Sequence, residues 1–188
     1  FVEVWHDARA LNQLVVESLS RAGLPVIALP PSASVSTRDG SITGCHLAPL
    51  TAALQAGLLP LINGDVIFDS VRGGTILSTE ELFFYMARQL HPRRILLAGI
   101  EAGVWRDFPA RSQLLARITP GNLAQVRGAL GGSAAVDVTG GMLKKVESMI
   151  DLVREVTELE VLIFSGVQPG LTTQALLGDQ PGTLICAS

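Results

Sequence analysis

The sequence predicts an α/β protein: a layered α/β/α sandwich on a mostly parallel sheet, with helices on both faces. Two observations carry this. Segments with apolar residues at helical spacing alternate along the chain with short β-type runs. Several of those runs, over 25–29, 58–62, 94–98 and 160–164, are almost wholly apolar, as strands covered on both faces are. At 188 residues with 48% apolar and 16% charged side chains, the chain can bury a sizeable core and is not of the disordered class.

The elements follow in order. Leu11, Leu14, Val15, Leu19 and Ala22 fall on one face of a helix over 7–22, and Gly23 stops it. A buried strand follows over 25–29. Arg38-Asp39-Gly40 is a hairpin-type turn between short alternating runs at 34–36 and 41–43. A helix over 47–56 ends at Gly57, and β runs at 58–62 and 66–68 are joined through Asn63-Gly64-Asp65. After a turn at 71–74 come a strand at 75–77 and a helix over 79–90. Ser78 and Glu81 there have the capping-box spacing, in which hydroxyl and carboxylate satisfy free amides at the helix start. His91-Pro92 ends that helix, and 94–98 is the next strand. A polar loop over 106–113, a short helix over 122–130 and a glycine-rich stretch over 131–141 precede an amphipathic helix over 142–156. The chain closes with a strand at 160–164, a short helix at 171–177 and a strand at 182–186. With no internal repeat, one composite domain is the simplest organisation.

Composition excludes several classes of function. A net charge of −3 with no basic run makes the chain a poor nucleic-acid binder. Two distant cysteines, Cys45 and Cys186, make no disulfide scaffold and fit a reducing, cytoplasmic compartment. The mean hydropathy is +0.41, and 40–64 carries no charge, which is long enough to span a bilayer. That window is broken by His46, Pro49, Gln55, Gly57, Pro60 and Asn63, so a buried helix and strand are expected there and no membrane association. The chain opens at Phe1, not Met, with no signal-type segment, so a further N-terminal stretch is expected.

The chemistry is concentrated at two helix starts. Of 14 basic residues 12 are arginine, and the two lysines, Lys144 and Lys145, are adjacent. They are expected in the first turn of the 142–156 helix, behind Thr139-Gly140-Gly141. Amides at a helix start and the helix dipole favour an anion, while cations there oppose the dipole; a bound polyphosphate reconciles the two. A solvated helix start with an ordinary glycine turn fits the same residues. The second helix start is Ser78-Thr79-Glu80-Glu81, where Glu81 is explained as a cap and Glu80 is placed to meet a metal or a lysine. Gly64-Asp65 at a strand end lies where ligands gather in α/β sheets, or is a tight turn. His6, His46 and His91 lack metal-site spacing, neither cysteine has a nucleophile signature, and no G-x-S-x-G, GxGxxG or Walker-type sequence occurs.

Taken together, the segments 61–69, 73–87, 103–109 and above all 137–149 resemble the amino-acid kinase superfamily. The string DVTGGMLKKVESM over 137–149 is similar to that of the isopentenyl phosphate kinases. The order of motifs agrees as well: strand-GDV, helix, apolar strand, a GVW turn, TGGM with a lysine three residues on, and a closing P-G…G-T-L-I. The resemblance implies an amino-acid-kinase-like fold and phosphoryl transfer from ATP with Mg²⁺ to a small-molecule phosphate acceptor. Isopentenyl phosphate, giving isopentenyl diphosphate for isoprenoid synthesis, is the first acceptor it implies. Fosfomycin, acetylglutamate, carbamate or uridylate kinases, or a non-catalytic nucleotide-binding relative, are the alternatives.

Carried over by residue, Lys145 matches the family lysine that contacts the transferred phosphate, and Thr139, Gly140 and Gly141 match the loop cradling the nucleotide phosphates. Trp105 and Asp107 stand at the turn near the nucleotide base. Ser78 and Thr79 match the small residues whose amides face the acceptor phosphate. Glu80 stands where an aspartate usually organises the active-site lysines, and Ala102 where an acidic residue commonly precedes the G-V turn. The chain is then expected to be one partial kinase domain over 1–188, with an acceptor-side portion over about 1–92 and a nucleotide-binding portion over about 93–188. The family's N-terminal glycine-rich lysine loop and its loop with a substrate-binding histidine would lie before Phe1. Family members usually form homodimers through the N-terminal half, so a homodimer is open to this chain.

Overall fold

The computed structural model describes residues 1–131 and 138–188. The chain divides into two compact units, Phe1–Met86 and Ala87–Ser188.

The first unit opens on α1 (Val2–Arg21), which begins at Val2 and not at 7. The apolar stripe that places the helix starts only at Leu11, whereas Glu3 in the first turn complements the dipole and lets the helix begin earlier. β1 (Val26–Ala28), a 3₁₀ turn (Pro31–Ala33), β2 (Val35–Arg38) and β3 (Ser41–Cys45) follow. Asp39 and Gly40 between β2 and β3 have φ of 49° and 81°. Positive φ at both central residues is the type I′ hairpin turn that Asp-Gly favours. Next come α2 (Ala48–Gln55), β4 (Leu59–Leu61), β5 (Asp65–Asp69), β6 (Gly73–Leu77) and α3 (Thr79–Leu90), whose last residues enter the second unit.

One sheet of this unit runs β3-β2-β5-β6, with β2 and β5 parallel and the outer pairs antiparallel. β1 and β4 form a separate parallel pair. The core joins Val35, Leu50, Ile67, Leu77, Leu82 and Met86. Each such side chain contributes on the order of 1.5–3 kcal/mol when removed from water. Asp69, buried at the end of β5, accepts hydrogen bonds from the N–H groups of Asp39, Gly40, Val71 and Arg72 at 2.8–3.0 Å. One carboxylate thereby ties the β2–β3 turn to the β5–β6 turn.

The second unit contains β7 (Arg94–Gly99), β8 (Arg117–Ile118), α4 (Leu123–Gly131), α5 (Val138–Glu155), β9 (Glu160–Ser165), α6 (Leu171–Leu177) and β10 (Gly182–Ile185). Its sheet runs β7-β9-β10-β8, parallel at β7–β9 and β10–β8 and antiparallel at β9–β10. Among the described residues the parallel pairings therefore outnumber the antiparallel ones. α5 packs on β9 and β10 through Val146, Met149, Ile150, Leu152 and Val153, all almost fully buried. Gly182 is a required glycine: a Cβ there would stand 2.1 Å from the Ile163 carbonyl oxygen. No helix among the described residues is long and apolar enough to cross a membrane.

Candidate functional site

In the first unit the site grows from the β5–β6 hairpin, which delivers the chain into α3. The expected capping box is present. Ser78 donates both its N–H and its O–H to Glu81 Oε2 at 2.8 Å, and the Glu81 N–H donates to Ser78 Oγ at 3.2 Å. The N–H and hydroxyl of Ser78 are therefore already committed to Glu81, which leaves Thr79 the better placed of the two for an acceptor. Thr79 Oγ1 accepts the Gly64 N–H at 2.9 Å. An oxygen that accepts keeps its own proton for donation, so Thr79 can offer an O–H to an anion. Glu80, one residue on, is half-buried, whereas Glu81 is exposed.

Asn63 and Asn12, neither singled out from the sequence, converge on this corner. Asn12 Nδ2 donates to Asn63 Oδ1, and Asn63 Nδ2 donates to the Gly64 carbonyl, both at 2.8 Å. Asp65 turns inward, accepting the Ser32 and Val66 N–H groups at 3.0 and 2.8 Å, so it anchors the 3₁₀ turn to β5. The same unit holds an apolar cavity of about 180 Å³, whose lining includes Ile62, Leu82, Met86, Leu50, Val35 and His46. Leu82 and Met86 belong to α3, the helix that begins at Thr79.

In the second unit the G-V-W turn is held by side chains. Trp105 Nε1 donates to Glu101 Oε2 at 2.9 Å, and Arg111 binds both oxygens of Glu101 at 2.8 and 3.0 Å. The Arg111 hydrogen bonds, opposed by partial burial and aided by Trp105, hold the Glu101 carboxyl below the usual range. Glu101 thus supplies an acidic group beside Ala102, facing Trp105 and Arg111. The Glu101–Trp105 spacing of four residues was the available sequence signal. Asp107 accepts the Ser112 hydroxyl and the N–H groups of Ser112 and Gln113, and the Ser112 hydroxyl first of all lowers its pKa. It shapes its own loop. Gly103 is required by close approach: a Cβ there would stand 2.5 Å from Thr183 Oγ1, which accepts the Val104 N–H at 2.8 Å.

The glycine-rich start of α5 is a correction. Thr139, Gly140 and Gly141 were expected in a loop before a helix starting at 142, with both lysines in its first turn. Instead α5 begins at Val138, so these three residues form its first turn and the lysines lie further in. Glycine is costly in a helix interior, but the first four N–H groups of a helix have no intrahelical acceptor, so a glycine start keeps donors available for an anion without bulk around them. A Cβ at Gly141 would meet nothing within 4 Å. Lys145 is half-buried and Lys144 exposed. Lys145 lies roughly 10 Å along the axis from Val138 at 1.5 Å per residue. The Cα–Cβ bonds of a helix tilt toward its N-terminus, so the Lys145 side chain leaves α5 on the side of that first turn. Asp137, the first residue of the motif, lies outside the described residues.

Comparison with known proteins gives a consistent picture. The model of the amino acid kinase family matches residues 3–165. The isopentenyl phosphate kinase of Methanocaldococcus jannaschii is 30% identical over 98% of this chain and 67% of its own length. That of Haloferax volcanii is 32% identical over 98% of this chain and 69% of its own. Among solved structures, an isopentenyl phosphate kinase superposes with a TM-score of 0.75 at 27% identity, over 94% of this chain and 66% of that one. The chain spans about two thirds of the length of these relatives.

Proposed function

The chain belongs to the amino acid kinase family, and from that premise we propose that the protein transfers the γ-phosphoryl group of ATP to isopentenyl phosphate. An acceptor-phosphate oxygen forms a bond to the γ-phosphorus as the bond to the β–γ bridging oxygen breaks, yielding isopentenyl diphosphate and ADP. In such a transfer the protein mainly positions reactants and offsets charge on the moving group. The first-turn amides at Thr139, Gly140 and Gly141 would hold nucleotide phosphates, and Lys145 would offset charge on the transferring phosphoryl. Trp105 and the loop shaped by Asp107 would border the base. Thr79, with Ser78 fixing the helix start, would receive the acceptor phosphate, and Glu80 would orient a lysine or a hydrated cation.

Mg²⁺ would be carried on phosphate oxygens, and the half-buried Glu80 at the start of α3 is the carboxylate that would meet it through water. When bound, Mg²⁺ would supply charge neutralisation to the nucleotide phosphates. Cys45 and Cys186 are both free thiols, in keeping with the cytoplasm. A homodimer is part of this reading.

One observation carries the choice of acceptor beyond the likeness to isopentenyl phosphate kinases. The cavity next to α3 is apolar, and a short hydrocarbon chain is favoured there in a way a second carboxylate or a nucleoside is not. The test is an acceptor panel for the full-length protein: isopentenyl phosphate, acetylglutamate, carbamate, UMP and fosfomycin. Isopentenyl phosphate should give the highest kcat/KM by about tenfold or more, roughly 1.4 kcal/mol. A preference for any other acceptor would overturn the substrate. Nucleotide binding with no transfer to any of them would favour the non-catalytic reading.

A further inference from the structure

The corner that holds Thr79 is reached from α1, a helix with no fully buried residue. Asn12 sits midway along α1 on the partly covered face that also carries Trp5, Ala8, Val16 and Leu19. Its Nδ2 donates to Asn63 Oδ1 at 2.8 Å. That bond fixes which end of the Asn63 amide points where, because Nδ2 of Asn63 is then left facing the Gly64 carbonyl, to which it donates at 2.8 Å. Gly64 is thereby gripped at its carbonyl, and its N–H, on the preceding peptide group, donates to Thr79 Oγ1 at 2.9 Å. Gly64 has no slack for another placement: a Cβ on it would stand 3.0 Å from the Leu77 carbonyl and 3.2 Å from the Thr79 nitrogen. Asn12 and Thr79 are far apart in sequence, yet three hydrogen bonds of ordinary length link them.

We propose that Asn12 is a positioning residue for the acceptor: through Asn63 and Gly64 it orients the Thr79 hydroxyl so that its proton points to the acceptor phosphate. This rests on the reading of Thr79 as an acceptor contact. The direction of each bond matters. If Asn12 becomes an acceptor-only carboxylate, the Asn63 amide must turn over to donate to it. Asn63 Oδ1 then meets the Gly64 carbonyl oxygen, two acceptors face to face, and the Gly64 peptide shifts away. The shift reaches Thr79 and the acceptor, while nucleotide contacts in the other unit are untouched.

The experiment uses the full-length protein with isopentenyl phosphate and ATP, and compares Asn12→Asp, Asn12→Ala, Thr79→Val and the double variant Asn12→Asp/Thr79→Val. Gln13→Ala, which loses only an exposed bond to Glu17, is the control. Asn12→Asp should raise KM for isopentenyl phosphate, and its Kd measured calorimetrically without nucleotide, by about 5- to 10-fold, with KM for ATP within about 2-fold of wild type. Residues acting in one chain are non-additive, so the double variant should be no worse than Thr79→Val alone. Asn12→Asp is nearly isosteric, so it carries the test if Asn12→Ala folds poorly. An unchanged acceptor KM in Asn12→Asp beside a raised one in Thr79→Val would overturn the positioning role. So would effects that simply add in the double variant. A Thr79→Val protein with wild-type acceptor binding would overturn the acceptor contact itself, and the positioning role with it.

Discussion

Glu80 and Glu81 are neighbours with the same side chain and different surroundings. Glu81 accepts two hydrogen bonds from Ser78, so its work is to start α3. Glu80 is half-buried beside it, and the family resemblance gives it the lysine-organising role. The two roles separate experimentally. Glu81→Ala should lower stability by about 0.5–2 kcal/mol, the usual cost of a lost cap, read as a Tm fall of a few degrees with kcat within about 2-fold. Glu80→Gln should do the reverse, lowering kcat about 10-fold or more with Tm nearly unchanged. A larger kcat loss in Glu81→Ala would place the motif one residue off. The capping box was legible because its signal is local, Ser and Glu three apart before an apolar helix. The Asn12–Asn63 bond was not, since nothing in the sequence brings residue 12 to residue 63.

At the scale of elements, legibility followed the source of the stabilising contacts. α6 and α3, each set by its own pattern and punctuation, have the expected boundaries. β8 is two residues long and exists through parallel pairing with β10, so no local run announced it. α5 starts earlier than its glycines suggest, because the first helical turn tolerates them. The pin formed by Asp69 is another long-range feature. Burial raises its pKa, and the backbone N–H groups of Arg72, Gly40 and Val71 outweigh that and hold it well below the usual carboxylate range. A depressed folded-state pKa stabilises the fold above the unfolded value of about 4, and that contribution is lost as pH falls below it. Asp69→Asn should therefore lower Tm by several degrees at pH 7, and the gap to wild type should close as pH is lowered below about 4. A gap that stays constant from pH 7 to pH 3 would show that the charge on Asp69 is not what joins the two turns.

For the whole molecule, the α/β class and the family were legible because they rest on many weak signals that agree: buried strands, alternating helices, and the T-G-G-M string with its lysine. The cavity on which the proposed acceptor rests was less legible, because it is assembled from residues between Leu29 and Met86 that carry no shared motif. In the proposed reaction the start of α5, with Lys145 on the same helix, serves phosphoryl transfer to isopentenyl phosphate. Phosphorus NMR of the full-length protein with ATP, Mg²⁺ and isopentenyl phosphate tests this most directly, run for wild type, Lys145→Ala and Lys144→Ala. Wild type should form isopentenyl diphosphate and ADP in equal amounts, Lys145→Ala should be slower by on the order of 100-fold, and Lys144→Ala should stay within about 3-fold of wild type. A Lys145→Ala protein that turns over at the wild-type rate, or ADP released by wild type with no diphosphate formed, would contradict it.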